Sequence, residues 1–254
     1  MLLAIDIGNT NIVVGVFEGT TLCHEFRLKS DPHTTVDEFA ATLFSLFHMK
    51  LGQAYTFDGA IMSSVVPPLT GILGEVVRER LGLEYLVVGP GIKTGVSIKV
   101  DDPRSVGADR IVNAVAVKTF YGSPAIVIDF GTATTFDYLD ENGAYGGGII
   151  APGIALSIEA LVKNTAQLPN IELTWPRQVV GKGTIQAMQS GAVIGYVAMV
   201  DGLIDRIVQE KGAVKHIVAT GGLGSLIVEH SDAVRIYDPY LNLNGLRLLF
   251  ELNR

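Results

Sequence analysis

Cysteine is nearly absent from this chain, with Cys23 alone among 254 residues. One thiol excludes an intrachain disulfide, a cysteine-based zinc site and a CxxC redox pair together, and it fits a reducing compartment such as the cytoplasm. Blocks of positive charge are missing as well. The 19 Lys and Arg are scattered and outnumbered by 26 Asp and Glu, so the basic footprint of a nucleic-acid binder is not there. Long apolar runs are lacking too: the longest, Gly191 to Val200, stops at Asp201 and is too short to span a bilayer. The start, Met1-Leu2-Leu3-Ala4-Ile5-Asp6, has no basic leader and does not read as a signal peptide. No low-complexity linker interrupts the chain. With 48% apolar residues, the composition is that of a globular protein long enough for one large domain or two of about 120 residues.

Residues 2–7, 12–17 and 20–28 are short runs rich in β-branched and apolar types, separated by turn formers, and predict an antiparallel meander. Thr35 and Glu38 have capping-box spacing, and Phe39, Leu43, Leu46 and Phe47 follow at helical intervals, predicting an amphipathic helix over 36–49. A buried strand over 59–66, a helix from Leu69 to Leu81 and a strand from Tyr85 to Val88 complete the first half. The second half opens with the same grammar. Ala125-Ile126-Val127-Ile128-Asp129-Phe130-Gly131-Thr132 parallels Leu2-Leu3-Ala4-Ile5-Asp6-Ile7-Gly8-Asn9, each an apolar strand ending in Asp-x-Gly. Strand 134–139, the turn Glu141-Asn142-Gly143 and strand 146–150 follow. Such self-similarity predicts a duplicated β-β-β-α-β-α unit. The halves are 1–115 and 116–254, joined by a helix near 106–120, and a ligand is expected in the cleft between the copies.

Familiar nucleotide motifs are also lacking. No GxxxxGK[ST] occurs, because Pro176 stands where the segment Gly181-Lys182-Gly183-Thr184 would need its first glycine, and Ile227 replaces the third glycine of GxGxxG after Gly222-Leu223-Gly224. The five histidines show no paired metal spacing, and Trp175 reads as packing. What remains is Asp6-Ile7-Gly8-Asn9-Thr10-Asn11. A strand-end carboxylate is followed by a tight turn with hydroxyl and amide donors, which can hold phosphate, with Mg²⁺ on Asp6 directly or through water. A plain hairpin turn is the alternative. Asp129-Phe130-Gly131-Thr132-Ala133-Thr134-Thr135 is a second such loop, and two matched loops suit the two ends of a triphosphate. Gly107-Ala108-Asp109-Arg110 places a carboxylate at a helix start, where the helix dipole favours its ionised form and lets Asp109 accept a hydroxyl proton. The alternative there is helix-start electrostatics with a surface ion pair. Gly221-Gly222-Leu223-Gly224 after a strand is either a seat for adenine or ribose, or a close strand-to-helix turn.

Taken in order, the Asp6 loop, Gly107 to Arg110, the Asp129 loop and Gly147-Gly148-Ile149-Ile150-Ala151-Pro152-Gly153 resemble the type III pantothenate kinases of the acetate/sugar kinase, Hsp70 and actin superfamily. The resemblance implies an α/β architecture of two ribonuclease-H-like domains with the actin-like ATPase fold. It implies cytoplasmic homodimers with substrate sites at or near the subunit interface, and ATP-dependent phosphorylation of pantothenate to 4′-phosphopantothenate in coenzyme A synthesis. By motif position, Asp6, Ile7, Gly8, Asn9, Thr10, Asn11, Ile12, Val13 and Thr132 would bind ATP. Asp129 would hold K⁺ or NH₄⁺ beside the required Mg²⁺. Gly107, Ala108, Asp109, Arg110 and Thr184 would contact pantothenate, with Asp109 as proton acceptor. Val100, before Asp101-Asp102-Pro103, departs from the tyrosine many relatives carry. Two other readings are a nucleotide-binding regulatory accessory protein and a kinase of another small hydroxyl substrate, since fold alone does not set the acceptor.

Overall fold

The structure is a computed structural model that describes residues 1–52 and 55–254. The alternating N-terminal runs pair as β1 (Leu2–Ile7), β2 (Asn11–Glu18) and β3 (Thr21–Lys29), antiparallel throughout. Leu3, Ile5 and Ile7 of β1 and Ile12, Val14 and Val16 of β2 point to one face and are buried there. Against that face packs α1 (Val36–Leu51) through Phe39, Leu43 and Phe47. The expected capping box starts it: the Glu38 N–H donates to Thr35 Oγ1, and the Thr35 N–H donates to Glu38 Oε2 at 2.8 Å.

The next strand, β4 (Gly59–Ser64), pairs parallel with β1 and ends two residues earlier than its apolar run. Ser64 Oγ accepts the Val66 N–H at 3.1 Å and the Thr70 hydroxyl at 2.6 Å, which turns the chain into α2 (Pro67–Glu75). That helix continues as a wider π turn over Val76–Arg80 before β5 (Tyr85–Val87). A 3₁₀ turn at Pro103–Ser105 precedes α3 (Ala108–Phe120), the expected connecting helix.

The second sheet repeats the first. Its strands are β6 (Ala125–Phe130), β7 (Ala133–Leu139), β8 (Tyr145–Pro152), β9 (His216–Thr220) and β10 (Ile236–Tyr237). The sheets run β3-β2-β1-β4-β5 and β10-β9-β6-β7-β8, so each is a three-stranded meander extended by two parallel strands in the same order. This is the duplicated unit predicted from the repeated Asp-x-Gly strands, with a short fifth strand in each copy, and it agrees with the two ribonuclease-H-like domains that the resemblance implies. Between β8 and β9 lie α4 (Ile154–Lys163), α5 (Thr184–Gln189), a π turn over Ser190–Ile194 and α6 (Gly195–Lys211). Val197, Val200 and Ile204 of α6 pack on Ile126, Ile128 and Phe130. The Gly191 to Val200 run thus passes from the π turn into α6. α7 (Gly224–Val228) follows β9, and α8 (Leu241–Asn253) ends the chain.

Two compact units result, one of residues 1–97, 101–116 and 240–254, the other of 98–100 and 117–239. They are not two plain halves, because α8 docks on the first sheet. A Cβ on Gly15 would lie 2.9 Å from Leu243, and one on Gly59 would lie 2.7 Å from Phe250. These two glycines make the room for the helix. Among the described residues no helix is long and apolar enough to cross a membrane.

Candidate active site

In the first unit the predicted groups gather at the carboxyl ends of β1 and β4. Asp6 is partly buried on the sheet face opposite α1, while Asn9, Thr10 and Asn11 are exposed in the turn that follows. Gly8 does not use a left-handed conformation there. Its backbone comes close instead, since a Cβ would sit 3.0 Å from the Asn11 carbonyl oxygen, to which the Gly8 N–H itself donates at 3.0 Å. That N–H is committed to the turn, which leaves the side chains of Asn9 and Thr10 and the neighbouring backbone as the donors the turn could offer an anion. Ser30, nearly buried at the end of β3, braces the turn: its hydroxyl donates to the Gly8 carbonyl at 2.5 Å and its N–H to the Thr10 carbonyl at 3.0 Å.

Asp109 reaches the same strand ends. A Cβ on Gly107 would lie 3.8 Å from Val65 Cγ1, and the Val65 N–H donates to the Ile7 carbonyl at 3.0 Å. A side chain on Gly107 would lie 2.5 Å from Asp109 Oδ1. The glycine therefore lets the carboxylate fold back over the helix start, where Oδ1 accepts the Arg110 N–H at 2.9 Å. The helix-start argument predicts a depressed pKa, and the structure reverses its direction. Burial raises the Asp109 carboxyl above the ordinary carboxylate value, outweighing the Arg110 N–H and the Arg110 charge, which pull it down. A carboxylate that holds its proton more tightly is the stronger base.

The second unit builds a matching loop. The Gly131 N–H donates to the Ala133 carbonyl at 3.1 Å, and Gly131 and Thr132 are exposed. Gly153, the residue before α4, is pressed against this loop, its N–H donating to the Thr132 carbonyl at 3.0 Å. A Cβ on Gly153 would lie 2.4 Å from the Gly131 oxygen and 2.5 Å from the Thr132 oxygen. Gly221, at φ +92°, closes on Asp129 from the other side: its Cβ would lie 2.6 Å from the Phe130 carbonyl oxygen and 2.7 Å from Asp129 Oδ1. The Gly221 to Gly224 segment is a close strand-to-helix turn. Its Gly221 carbonyl accepts the Tyr237 hydroxyl at 2.9 Å, and Gly224 lies under the Tyr237 ring. Trp175 stacks on His230 with ring centroids 3.8 Å apart, the packing role expected of it.

Thr184 opens α5 and faces a groove of about 790 Å³ in the second unit, lined also by Ile154, Leu161, Met188, Tyr196 and Met199. Val100 lies beside β8, with its Cγ1 3.8 Å from the Cβ position of Gly147, whose φ is +97°.

The donors suit particular ions. Among the described residues no group of three His, Cys, Asp or Glu could cage a metal. The single strand-end carboxylate of Asp6 therefore fits Mg²⁺ that takes its other ligands from nucleotide phosphates and water. At Asp129 a carboxylate and a backbone carbonyl border a cradle that any side chain on Gly221 would fill, a hard-oxygen setting that fits a monovalent cation. Two contributors were not visible in the sequence, Ser30 and Ser63, whose hydroxyl donates to Asp6 Oδ1 at 2.5 Å, and Gly153, which the sequence shows only within its motif, is a wall of the second loop. Ser63 is found only through the parallel register of β4 on β1.

Known proteins are similar to this chain in sequence and in fold. The family model of the type III pantothenate kinases matches residues 2–206. A curated type III pantothenate kinase of an Exiguobacterium species is 49% identical over 254 residues, covering 100% of both chains. Among solved structures, a Baf family protein of Campylobacter jejuni, titled a putative transcriptional activator, covers 98% of this chain and 97% of its own at 22% identity and TM-score 0.58. A putative 2-dehydro-3-deoxygalactonokinase of Sinorhizobium meliloti covers 99% and 96% at 12% identity and TM-score 0.58. Both of these similarities speak to the fold.

Proposed function

The chain belongs to the type III pantothenate kinase family, and we propose that the loops and carboxylates described above divide that family's reaction among themselves. The reaction is ATP-dependent phosphorylation of pantothenate in coenzyme A biosynthesis. In our reading the turn from Asp6 to Val13 and Thr132 bind the ATP phosphates. Bound Mg²⁺ would neutralise charge on the transferring phosphoryl group, held through Asp6. Asp129 and the Phe130 carbonyl would hold K⁺ or NH₄⁺ in the Gly221 cradle. Gly107 to Arg110 and Thr184 would seat pantothenate.

Asp109 is the observation that carries this division of roles. Phosphoryl transfer passes through a loose transition state, so the base needs to orient the acceptor hydroxyl and take its proton late. A half-buried carboxylate with a raised pKa, aimed by Gly107 and the Arg110 N–H, is built for that. The rest of the rate enhancement then comes from positioning and charge neutralisation. Asp109→Ala is expected to lower kcat by about two to four powers of ten while calorimetry shows ATP binding retained. A variant with full kcat removes Asp109 from the role.

The same reading makes the protein a cytoplasmic homodimer that needs neither nucleic acid nor membrane. The apolar groove beside Thr184, flanked by exposed Leu156, Leu161 and Ile185, supports a second copy packing near the pantothenate seat. Sedimentation at micromolar concentration tests it, and a monomer there would refute it.

A further inference from the structure

β4 is apolar and buried from Gly59 to Met62, and at its next position a hydroxyl appears. Ser63 is completely buried, and parallel register places it directly beside Asp6. Both side chains leave the sheet on the face away from α1, because their neighbours Ile5, Ile7 and Met62 occupy the α1 face. The result is a 2.5 Å bond from Ser63 Oγ to Asp6 Oδ1, the length of a charge-assisted O–H···O⁻ contact.

The duplicated sheet repeats the placement. Thr220, also buried, is the last residue of β9 and stands in parallel register beside Asp129, on the face opposite Ile128 and Phe130. Each strand-end carboxylate thus has a buried hydroxyl as its neighbour on the adjacent parallel strand. A hydroxyl kept for solubility or turn formation would not be buried at both places.

We propose that Ser63 is a positioning residue for phosphoryl transfer, its buried hydroxyl fixing the orientation of the Asp6 carboxylate toward the nucleotide's metal and phosphates. This rests on the placement of the ATP phosphates at the Asp6 loop. The serine holds the carboxylate in one rotamer from inside the sheet, so that ion binding does not have to order it. Removing the hydroxyl takes this restraint from the carboxylate, and the loss falls on Mg²⁺ and ATP rather than on pantothenate.

The test compares Ser63→Ala, Ser63→Cys and Ser63→Thr with Asp6→Asn. ATP binding is measured by calorimetry in Mg²⁺ without pantothenate, and Mg²⁺ is titrated in the steady-state assay. Ser63→Ala is expected to weaken ATP binding about tenfold and to raise the Mg²⁺ needed for half-maximal rate about tenfold. Pantothenate KM should stay within about twofold. Ser63→Thr, which keeps the hydroxyl, should restore both nucleotide readouts whatever its melting temperature. Should the alanine variant fail to fold, the near-isosteric cysteine, a weak donor, carries the same expectation. Unchanged ATP affinity and Mg²⁺ dependence in a folded Ala or Cys variant overturn the proposal, as does a folded Thr variant as impaired as Ala. If Asp6→Asn is crippled while Ser63→Ala is normal, only the serine's role falls. If Asp6→Asn itself binds Mg²⁺-ATP normally, the phosphate placement falls with it.

Discussion

Gly153→Ala is the sharpest perturbation of the second loop, because the added atom meets only backbone. A Cβ there would lie 2.4 Å from the Gly131 oxygen, 2.5 Å from the Thr132 oxygen and 3.0 Å from the Thr132 carbonyl carbon. Gly153 itself has φ −67°, so the substitution adds no backbone strain. No flexible side chain can swing away, and relief to ordinary contact requires the 131–132 loop or the start of α4 to move by roughly 1 Å. Overpacking of this kind costs about 1–3 kcal/mol, and a displacement of that size in a positioning element costs about a hundredfold in rate. The N–H bond from Gly153 to Thr132 resists the movement and is strained or lost with it. Urea unfolding and ATP kinetics should therefore change together, with kcat/KM for ATP falling about a hundredfold. Gly202→Ala is the control. It lies exposed in α6 with nothing within 4 Å of its Cβ position, and it should stabilise the protein by about 0.5–1 kcal/mol with normal kinetics. A Gly153→Ala enzyme with unaltered ATP kinetics would refute the claim that this glycine sets the loop.

Two more substitutions probe the first unit and the substrate seat. Burial raises the Asp109 pKa above the ordinary 3.8, so the folded state binds that proton more tightly than the unfolded chain. The stability this lends is complete below the unfolded pKa and is lost as pH rises through the folded value. Asp109→Asn should accordingly melt higher than the parent at pH 7, lose that advantage as pH falls toward 4, and be nearly inactive; equal melting temperatures at pH 7 would show that the carboxylate pays no burial penalty. Val100→Tyr adds a phenolic hydroxyl next to Gly147, and should lower pantothenate KM by the factor of about 2 to 10 that one neutral hydrogen bond supplies. An unchanged or higher KM would contradict it.

Much of this architecture is written locally. The Thr35 and Glu38 box, the Asp-x-Gly strand ends and the turn at Gly143 act within a few residues, and they appear where the sequence places them. The duplication was legible for the same reason. What escaped depends on contacts distant in the chain. Ser63 meets Asp6 across 57 residues, and the register of parallel strands has no local signal. β10 spans only Ile236–Tyr237 and carries no periodicity. The docking of α8 on the first sheet rests on Gly15 and Gly59, which look like strand weaknesses until Leu243 and Phe250 fill the space. Asp109 shows the same limit in electrostatics. Helix position is readable from sequence and argues for a lowered pKa, whereas the larger opposing effect is burial, which only the packed structure supplies.

The central claim is that ATP is consumed only when pantothenate accepts its phosphoryl group, and that a monovalent cation supports the transfer. ADP release from the purified protein with Mg²⁺-ATP, with and without pantothenate and with K⁺ exchanged for Na⁺, tests it most directly. The account predicts release that requires pantothenate and collapses in Na⁺. Release indifferent to pantothenate, or none in its presence despite bound ATP, would contradict it.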